Sequence, residues 1–379
     1  MTGHRYLVEA QLLRALREDG PQTRSQLVRS LGLPRTTLSS TIASLVSAGR
    51  LEDGPVAAST GGRRSVTLRL SPRRHFVAVS VGERRARAAL LDGHLNVLSS
   101  VGVDLGDRGS GGEDWLPSIM VRATTQVLGE RAEPAAIGVA GVGSDPVAEA
   151  GVAARLAERF GDVPVVGLSA ARAMALGERS AGAARGVDDF VTVRLGCGAT
   201  MATVVAGRLS RGATGRSGEI GHLRVEEFGP SCTCGQTGCL DAFVGAAALL
   251  AQASDLARRG RSPGLAAVLA EAGAIGLDDL VAASRGGDPV VGQLARDVGQ
   301  RVGRVVAGAV AHLDPRCVVL CGPVTGIGAA LMLREVRATV ARLAPPDLAA
   351  QLDVTVSALG EQGVLLGAAA AAVDSWIES

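Results

Sequence analysis

The chain contains no lysine: all 39 of the basic residues among its 379 residues are arginine. This absence excludes every chemistry that needs a lysine amine, including a Walker-A phosphate loop, a Schiff base and a lysine–serine dyad. Long apolar runs are also absent, because no stretch reaches the ~18–20 residues that a membrane span requires. The first residues carry charges throughout and show no signal-peptide pattern, so a cytoplasmic location is expected.

The composition indicates a folded protein with a basic head and an acidic body. Hydrophobic residues make up 47% of the chain and charged residues 20%, which is typical of globular proteins, and the length predicts two or three domains. Residues 1–75 hold 12 arginines and five acidic residues, a net charge of +7, whereas the remaining residues carry −5. Such a split favours a nucleic-acid-binding head on a core of a different kind.

Helical periodicity and a capping motif predict three helices in the head. Leucines at helical spacing predict the first helix over about residues 5–18. Thr23 and Gln26 form a T-x-x-Q capping box, which predicts that a second helix begins there. A third helix is predicted over 34–48, with Pro34 as its first helical residue. The apolar face predicted for this third helix is Leu38, Ile42, Leu45 and Val46.

A two-stranded ribbon is predicted after the third helix. Residues 50–52 form the first strand, 57–64 a loop and 66–70 the return strand, so the head is interpreted as a winged helix-turn-helix that places its third helix in the major groove. A small helical protein–protein adaptor is the alternative, but the basic charge and the Gly-Gly-Arg-Arg tip favour DNA. Most exposed side chains of the third helix are short hydroxyls, so base discrimination is expected to depend on Arg35 and on DNA shape. The candidate DNA contacts are Arg35, Thr36, Thr37, Ser40, Arg63 and Arg64.

Two successive sets of strand hairpins and helices follow the head. The first set begins at Phe76 and the second at Phe190, which predicts a duplicated, two-lobed α/β body. The expected boundaries are a head over 1–74, a first lobe over 75–189 and a second lobe over 190–379. The C-terminal helix is expected to pack back on the first lobe.

A cluster of cysteine and histidine residues has the spacing of a metal site. His222 is followed by nine residues and then by Cys232-x-Cys234-x4-Cys239. Three thiolates and an imidazole can complete a tetrahedron around Zn²⁺ with no open position, which predicts a structural zinc. Unligated core cysteines are the alternative, and a disulfide is disfavoured in the cytoplasm. The remaining cysteines, Cys197, Cys317 and Cys321, are interpreted as buried small apolar residues.

Motifs throughout the body resemble those of the ROK family of repressors, open reading frames and kinases. They are Gly196-Cys197-Gly198, Gly218-Glu219-Ile220-Gly221-His222, the Cys232–Cys239 cluster and Leu365-Leu366-Gly367-Ala368-Ala369. The resemblance implies an actin-like, ribonuclease-H-like pair of lobes. Family members are either sugar kinases or sugar-responsive transcription factors, and the latter carry an N-terminal winged helix.

Several residues depart from what the resemblance implies for a kinase. Ser80 stands where the first phosphate loop has aspartate, and Glu83 places a negative charge where phosphate would lie. Ala170 stands at the position of the catalytic aspartate, and alanine cannot act as a general base. Cys197 replaces a threonine in the second phosphate loop, and Pro323 replaces a glycine in the nucleotide loop. The chain is therefore predicted not to be an enzyme.

The resemblance also implies sugar-binding residues. Glu219 and His222 match family residues that bond sugar hydroxyls, and Asp241 stands where the family usually has glutamate. Glu219 and Asp241 are equally well interpreted as support for the zinc ligands.

The sequence therefore predicts a transcriptional regulator, a repressor, whose inactive kinase-like body senses a carbohydrate or its phosphate. A homodimer or tetramer is expected, and a two-fold dimer would bind a pseudo-palindromic operator in double-stranded DNA. Two alternatives remain: an active ATP-dependent sugar kinase, and a ligand-independent regulator whose sugar pocket has decayed.

Overall fold

The computed structural model describes residues 2–56, 65–82, 84–106, 115–131, 133–141 and 146–379. The chain forms two compact units. The first comprises Met1–Leu168 together with Ala368–Ser379, and the second comprises Ser169–Gly367. Within the described ranges, no helix is both long and apolar enough to cross a membrane.

The first unit begins with a small helical head. Its elements are α1 (Thr2–Glu18), β1 (Gln22–Thr23), α2 (Arg24–Leu31), α3 (Arg35–Ser47), β2 (Leu51–Val56) and β3 (Val66–Leu70). The predicted capping box is present: the Thr23 hydroxyl accepts from the Gln26 amide at 3.3 Å, and the Gln26 side chain accepts from the Thr23 amide at 2.8 Å. These two bonds satisfy donors that the start of α2 would otherwise leave without partners.

The wing contains one strand more than the sequence predicted. The strands lie in the order β1-β3-β2, with Gln22 opposite Leu68 and Thr23 opposite Thr67. The predicted two-stranded ribbon is therefore wrong, because the observed sheet has this short third strand. The cap residue Thr23 has extended backbone, so the residues just before α2 can pair with β3. The predicted wing tip, with Arg63 and Arg64, lies outside the described residues.

The third helix differs from its prediction in two details. Pro34 is the N-cap with extended backbone, not the first helical residue, and α3 begins at Arg35. Thr41 is buried, whereas Val46 is 44% exposed. The buried positions Leu38, Thr41, Ile42 and Leu45 have i, i+3, i+4, i+7 spacing, which defines one helix face and leaves Val46 at its edge.

The rest of the first unit is a five-stranded mixed sheet with two helices. Its elements are β4 (His75–Val81), β5 (Arg85–Asp92), β6 (Val97–Asp104), α4 (Trp115–Leu128), β7 (Ala136–Gly141), α5 (Pro146–Phe160) and β8 (Val165–Ser169). The sheet order is β6-β5-β4-β7-β8, antiparallel from β6 to β4 and parallel between β4 and β7. Asp92 closes the β5–β6 hairpin by accepting from the His94 and Asn96 amides at 2.9 and 3.0 Å.

The second unit repeats this strand order. Its elements are α6 (Ala170–Ala181), β9 (Phe190–Leu195), β10 (Ala199–Val205), β11 (Arg208–Leu209), a 3-10 turn (Ile220–His222), α7 (Asp241–Val244), α8 (Ala246–Arg258), α9 (Pro263–Ala272), α10 (Leu277–Arg285), α11 (Pro289–Leu313), β12 (Cys317–Cys321), a second 3-10 turn (Pro323–Gly326), α12 (Ala329–Leu343), α13 (Pro346–Gln351), β13 (Asp353–Val356) and the first residues of α14 (Gln362–Ile377). The strands of this unit lie in the order β11-β10-β9-β12-β13. When the strands of each sheet are numbered one to five along the chain, both sheets have the order 3-2-1-4-5. The predicted duplication of the α/β body is confirmed.

Helix α14 belongs to both units. Its residues up to Gly367 belong to the second unit, and those from Ala368 onward to the first. Glycine permits close packing in each: a Cβ on Gly367 would lie 1.6 Å from the Ala173 carbonyl oxygen, and one on Gly138 would lie 1.9 Å from that of Ala368. The final residues of α14 join a hydrophobic core with the head and with Phe76. That core includes Leu12, Leu16, Leu27, Leu38, Leu45, Leu68, Val373, Trp376 and Ile377.

Candidate functional site

The four predicted metal ligands lie on a tightly turned loop of the second unit. His222 ends the first 3-10 turn, and the Cys232 amide donates to the Gln236 carbonyl at 2.7 Å. Gly238 has a φ of 71°, and a Cβ there would lie 1.8 Å from the Glu226 carbonyl oxygen. Only glycine fits this position, so the turn that carries Cys239 toward His222 depends on it.

The ligand atoms converge to the dimensions of a tetrahedral site. One atom from each of His222, Cys232, Cys234 and Cys239 lies within 4.8 Å of the others. The Cys232 sulfur is 3.6 Å from His222 Nδ1, and the Cys234 sulfur is 3.7 Å from that of Cys239. Zn–S bonds of ~2.3 Å imply sulfur–sulfur edges of about 3.8 Å in a tetrahedron. The donor set and spacing thus fit Zn²⁺, and the residues can hold a metal.

Asp241 lies between the metal loop and the second phosphate loop, Gly196–Ala199. Its carboxylate accepts from the Ala199 amide at 2.6 Å. A Cβ on Gly198 would lie 2.5 Å from this carboxylate, and one on Gly221 would lie 2.1 Å from it. Burial raises the pKa of Asp241, although the Ala199 amide and His222 act against this shift and Glu219 adds to it. The structure therefore brings Asp241 into electrostatic contact with both other predicted sugar-binding residues.

The start of α6 lies near the same loop. The Arg172 guanidinium donates to the carbonyls of Arg211 and Ser217, each at 3.2 Å, and Ser217 is two residues before the exposed Glu219. Ala170, at the position of the kinase base, is the first residue of α6 and is 4% exposed. The second unit thus places this first turn of α6 close to the candidate sugar-binding loop.

The other kinase positions are distributed over both units. Ser80 lies on β4 in the first unit, opposite Arg87 of β5. Glu83 lies outside the described residues. Pro323 opens the second 3-10 turn, directly after β12. Of the three remaining cysteines, Cys317 and Cys321 are buried as predicted, but Cys197 in the phosphate loop is only partly buried.

The predicted DNA-contacting residues of α3 lie on its outer side. Arg35, Thr36 and Ser40 are exposed and Thr37 is half-buried, with the Ser40 hydroxyl donating to the Thr37 carbonyl at 2.9 Å. These side chains are accessible to a duplex. The residues Arg63 and Arg64, predicted to lie at the wing tip, are not among those that the structure describes.

Sequence reasoning missed one charged residue in the second unit. Arg194 lies on β9 and is only 7% exposed. The signal was present, because Arg194 interrupts the otherwise uncharged strand Phe-Val-Thr-Val-Arg-Leu. Its position beside the phosphate loop, however, depends on tertiary packing.

The folds and motifs together define a class of protein. A winged helix-turn-helix precedes two α/β units of identical strand order, and the second of these carries a cluster of one histidine and three cysteines. This is the construction of a regulator built on an actin-like sugar-kinase body. The chain belongs to the ROK family, whose model matches residues 77–375.

Relatives of known kind include both regulators and kinases. The chain is 27% identical over 342 residues to the "DNA-binding transcriptional dual regulator NagC" of Escherichia coli K12, covering 84% of this chain and 81% of that protein. A ROK family transcriptional regulator described as a homolog of the E. coli MLC protein superposes with a TM-score of 0.82 at 20% identity, covering 99% of this chain and 97% of that one. The ROK hexokinase of Thermus thermophilus superposes with a TM-score of 0.62 at 27% identity, covering 79% of this chain and 97% of that one.

Proposed function

We propose that this chain is a DNA-binding transcriptional repressor whose kinase-like body binds a carbohydrate effector without phosphorylating it. The observation that carries the proposal is the combination of a basic winged-helix head with a ROK body in which alanine occupies the position of the catalytic base. The similarity to NagC over 84% of the chain supports this proposal, as does the similarity to a regulator structure over 99%.

The head supplies the attraction to DNA. Residues 1–75 carry +7 against −5 for the rest of the chain, so the head attracts phosphate whereas the body repels it. Arg35 at the first turn of α3 is long enough to bond a guanine edge, whereas the neighbouring hydroxyls discriminate weakly. A two-fold dimer of such heads would bind a pseudo-palindromic operator.

The second unit supplies the sensor. Asp241 interacts electrostatically with both Glu219 and His222, and carboxylates and imidazoles are suited to bonding sugar hydroxyls. The four metal ligands, of which His222 is one, would hold a structural Zn²⁺, which would fix the loop that carries Glu219 and His222.

Phosphoryl transfer is not expected from this body. Ala170 cannot accept a proton from a sugar hydroxyl. The Asp241 carboxyl group already accepts from the Ala199 amide of the second phosphate loop, so it occupies a donor that a nucleotide phosphate would need. Both features of the second unit argue against the active-kinase alternative.

Genome-wide mapping of bound DNA, followed by titration of the recovered operator, tests this function. The chain should bind the operator more tightly than random DNA, and a sugar from the pathway encoded beside the operator should change that affinity. Specific operator binding that no carbohydrate alters would support the ligand-independent alternative. Absence of any specific DNA binding by the zinc-loaded chain would contradict the proposal.

Glu219→Ala tests the sensor. It should abolish the response to the sugar while retaining zinc, and Glu227→Ala, which removes another exposed glutamate from the same loop, should leave the response unchanged. His222→Ala should lose both zinc and response. If Glu219→Ala releases zinc, Glu219 supports the metal ligands instead.

A further inference from the structure

An arginine on the long helix α11 contacts the metal loop, residues 222–239. Nη2 of Arg301 donates to a Glu226 carboxylate oxygen at 2.9 Å, and the two side chains are 26% and 35% exposed. The guanidinium carbon of the same residue lies 4.5 Å from the ring centroid of Phe243. A planar, permanently charged group can make both contacts at once, an ion pair and a cation–π contact. Arg301 therefore joins α11 to a residue inside the loop and to a residue of α7, which follows the loop.

Glu226 lies where the two arms of the metal loop pair with each other. The amides of Val225 and Glu226 donate to the Gly238 carbonyl at 2.8 and 3.2 Å. The Glu226 carbonyl oxygen lies directly against Gly238, because a Cβ there would be only 1.8 Å from it. Gly238 immediately precedes Cys239, so the position of Glu226 sets the direction from which the Cys239 thiolate reaches the metal site.

Phe243 packs beside the same pair of arms. A Cβ on Gly229 would lie 2.7 Å from the Gly238 Cα and 2.9 Å from Cζ of Phe243, so the two glycines and the ring are in close contact. Phe243 also shares α7 with Asp241, one of the candidate sugar-binding residues. Both contacts of Arg301 therefore act on the base of the loop that presents the metal ligands.

The energetics of Arg301 favour a local role over a global one. A partly exposed ion pair contributes little to the free energy of unfolding, because solvent screens it and its formation fixes two side chains. In addition, Nε of Arg301 is buried and has no hydrogen-bond partner within the described residues, which costs free energy. The net contribution of Arg301 to overall stability is therefore expected to be small. Its two contacts instead determine where the base of the loop lies relative to α11.

We propose that Arg301 is a positioning residue for the metal site. Through Glu226 and Phe243 it holds the base of the loop in the arrangement in which the four ligands converge, and it thereby slows the loss of the metal. The inference rests on the structural Zn²⁺ of the proposed function. Groups outside the coordination sphere commonly tune a metal site in this way, by orienting the residues that carry its ligands.

The rate at which zinc leaves the full-length, zinc-loaded chain tests this role. An excess of a chromophoric chelator captures the released metal and reports the rate. Arg301→Met should release zinc about ten-fold faster, since residues that support metal ligands affect metal affinity by that amount or more. Arg301→Lys, which keeps the charge but not the planar group, should be intermediate. Arg304→Met, which removes an exposed arginine one turn along α11, should match the parent chain.

The ionic partner of Arg301 provides a second comparison. Glu226→Gln should also accelerate zinc release. The double variant Arg301→Met, Glu226→Gln should release zinc no faster than Arg301→Met alone, because the two side chains act as one unit. Glu227→Gln, which changes the exposed neighbouring acid, should have no effect. Additive effects of the two substitutions would contradict a shared role.

Hydrogen exchange of the zinc-loaded chain separates positioning from general stability. In Arg301→Met the amides of Val225, Glu226 and Gly238, which are hydrogen-bonded within the loop, should exchange faster, whereas those of β9 and β12 should be unchanged. Faster exchange throughout these strands would show that Arg301 stabilises the whole unit and would overturn the proposal, as would an unchanged rate of zinc release. These two outcomes leave the zinc site and the repressor function intact. A parent chain that contains no zinc would overturn the metal site, and this role with it.

Discussion

The guanidinium of Arg50 lies 4.4 Å from the ring centroid of Trp376 and donates a hydrogen bond to the Trp376 carbonyl at 2.6 Å. Arg50 lies between α3 and the wing, and Trp376 is the penultimate residue of α14. Phe76, on the first strand of the body, meets the same indole edge-on at 5.5 Å. The end of the chain is therefore part of the DNA-binding head's core, and the head is not an independent module within the first unit.

Trp376→Ala should destabilise the head. Truncating a buried tryptophan costs about 3–5 kcal/mol, and here it also removes the contacts with Arg50 and Phe76. Denaturant unfolding should show the loss, and operator binding should weaken in parallel. Trp115→Ala, at the half-buried start of α4, is the matched control and should cost much less. Equal losses from the two variants would contradict the role assigned to Trp376.

The purified chain should contain about one zinc per molecule, because four ligands complete the tetrahedron. Cys234→Ser should lose the metal and loosen the loop from His222 to Cys239, since metal binding is coupled to local folding. Metal analysis and limited proteolysis provide the measurements. Cys317→Ala, which changes a buried cysteine outside the cluster, should retain zinc; metal-free protein prepared without chelators would contradict the site.

The buried strand cysteines should resist alkylation. Burial raises the pKa of Cys317 to about 11 and that of Cys321 to about 12. At pH 8 their thiolate fractions are then about one in a thousand and one in ten thousand, and only thiolate reacts. In metal-free protein, a hydrogen bond from the Gln236 amide lowers the pKa of the exposed Cys234, which should react first. Mass spectrometry of iodoacetamide-treated native protein at pH 8 would show this order, and early modification of Cys321 would contradict it.

No phosphoryl transfer to glucose, mannose or their N-acetyl forms should exceed background. Ala170→Asp should not restore it, because Ser80, Glu83 and Pro323 remain and Asp241 still bonds the Ala199 amide. A coupled ADP assay with the sugar panel measures both chains. A robust sugar-dependent signal from the parent chain would establish the kinase alternative.

Arg35→Ala should reduce discrimination between operator and random DNA. If Arg35 pairs with a guanine, the loss on the operator is about 1–3 kcal/mol and much smaller on random duplex. The double variant Arg63→Ala, Arg64→Ala should instead weaken both duplexes and flatten the salt dependence by about two phosphate contacts. Titrations at several salt concentrations separate these effects. An unchanged operator-to-random ratio for Arg35→Ala would show that α3 does not read bases through this residue.

Much of the architecture could be predicted from local patterns. The capping box at Thr23 and Gln26 depends on residues three apart, and the metal ligands are brought together by glycine turns within a short loop. The strands of both sheets follow from apolar runs. The extra wing strand β1 was not predictable in this way, because two residues carry no periodicity and their pairing with β3 joins positions more than 40 residues apart.

The sequence by itself determined the winged head, the duplicated α/β body and the metal cluster, because spacing over a few residues decides helices, turns and ligand sets. Only the tertiary structure decided that Trp376 completes the core of the head, that Asp241 bonds the phosphate loop and that Arg194 is buried beside that loop. Arg50 and Trp376 are 326 residues apart, and Ala199 and Asp241 are 42 apart. Such contacts depend on how the intervening chain packs, and the burial that makes an arginine exceptional is a property of its surroundings rather than of its neighbours in sequence.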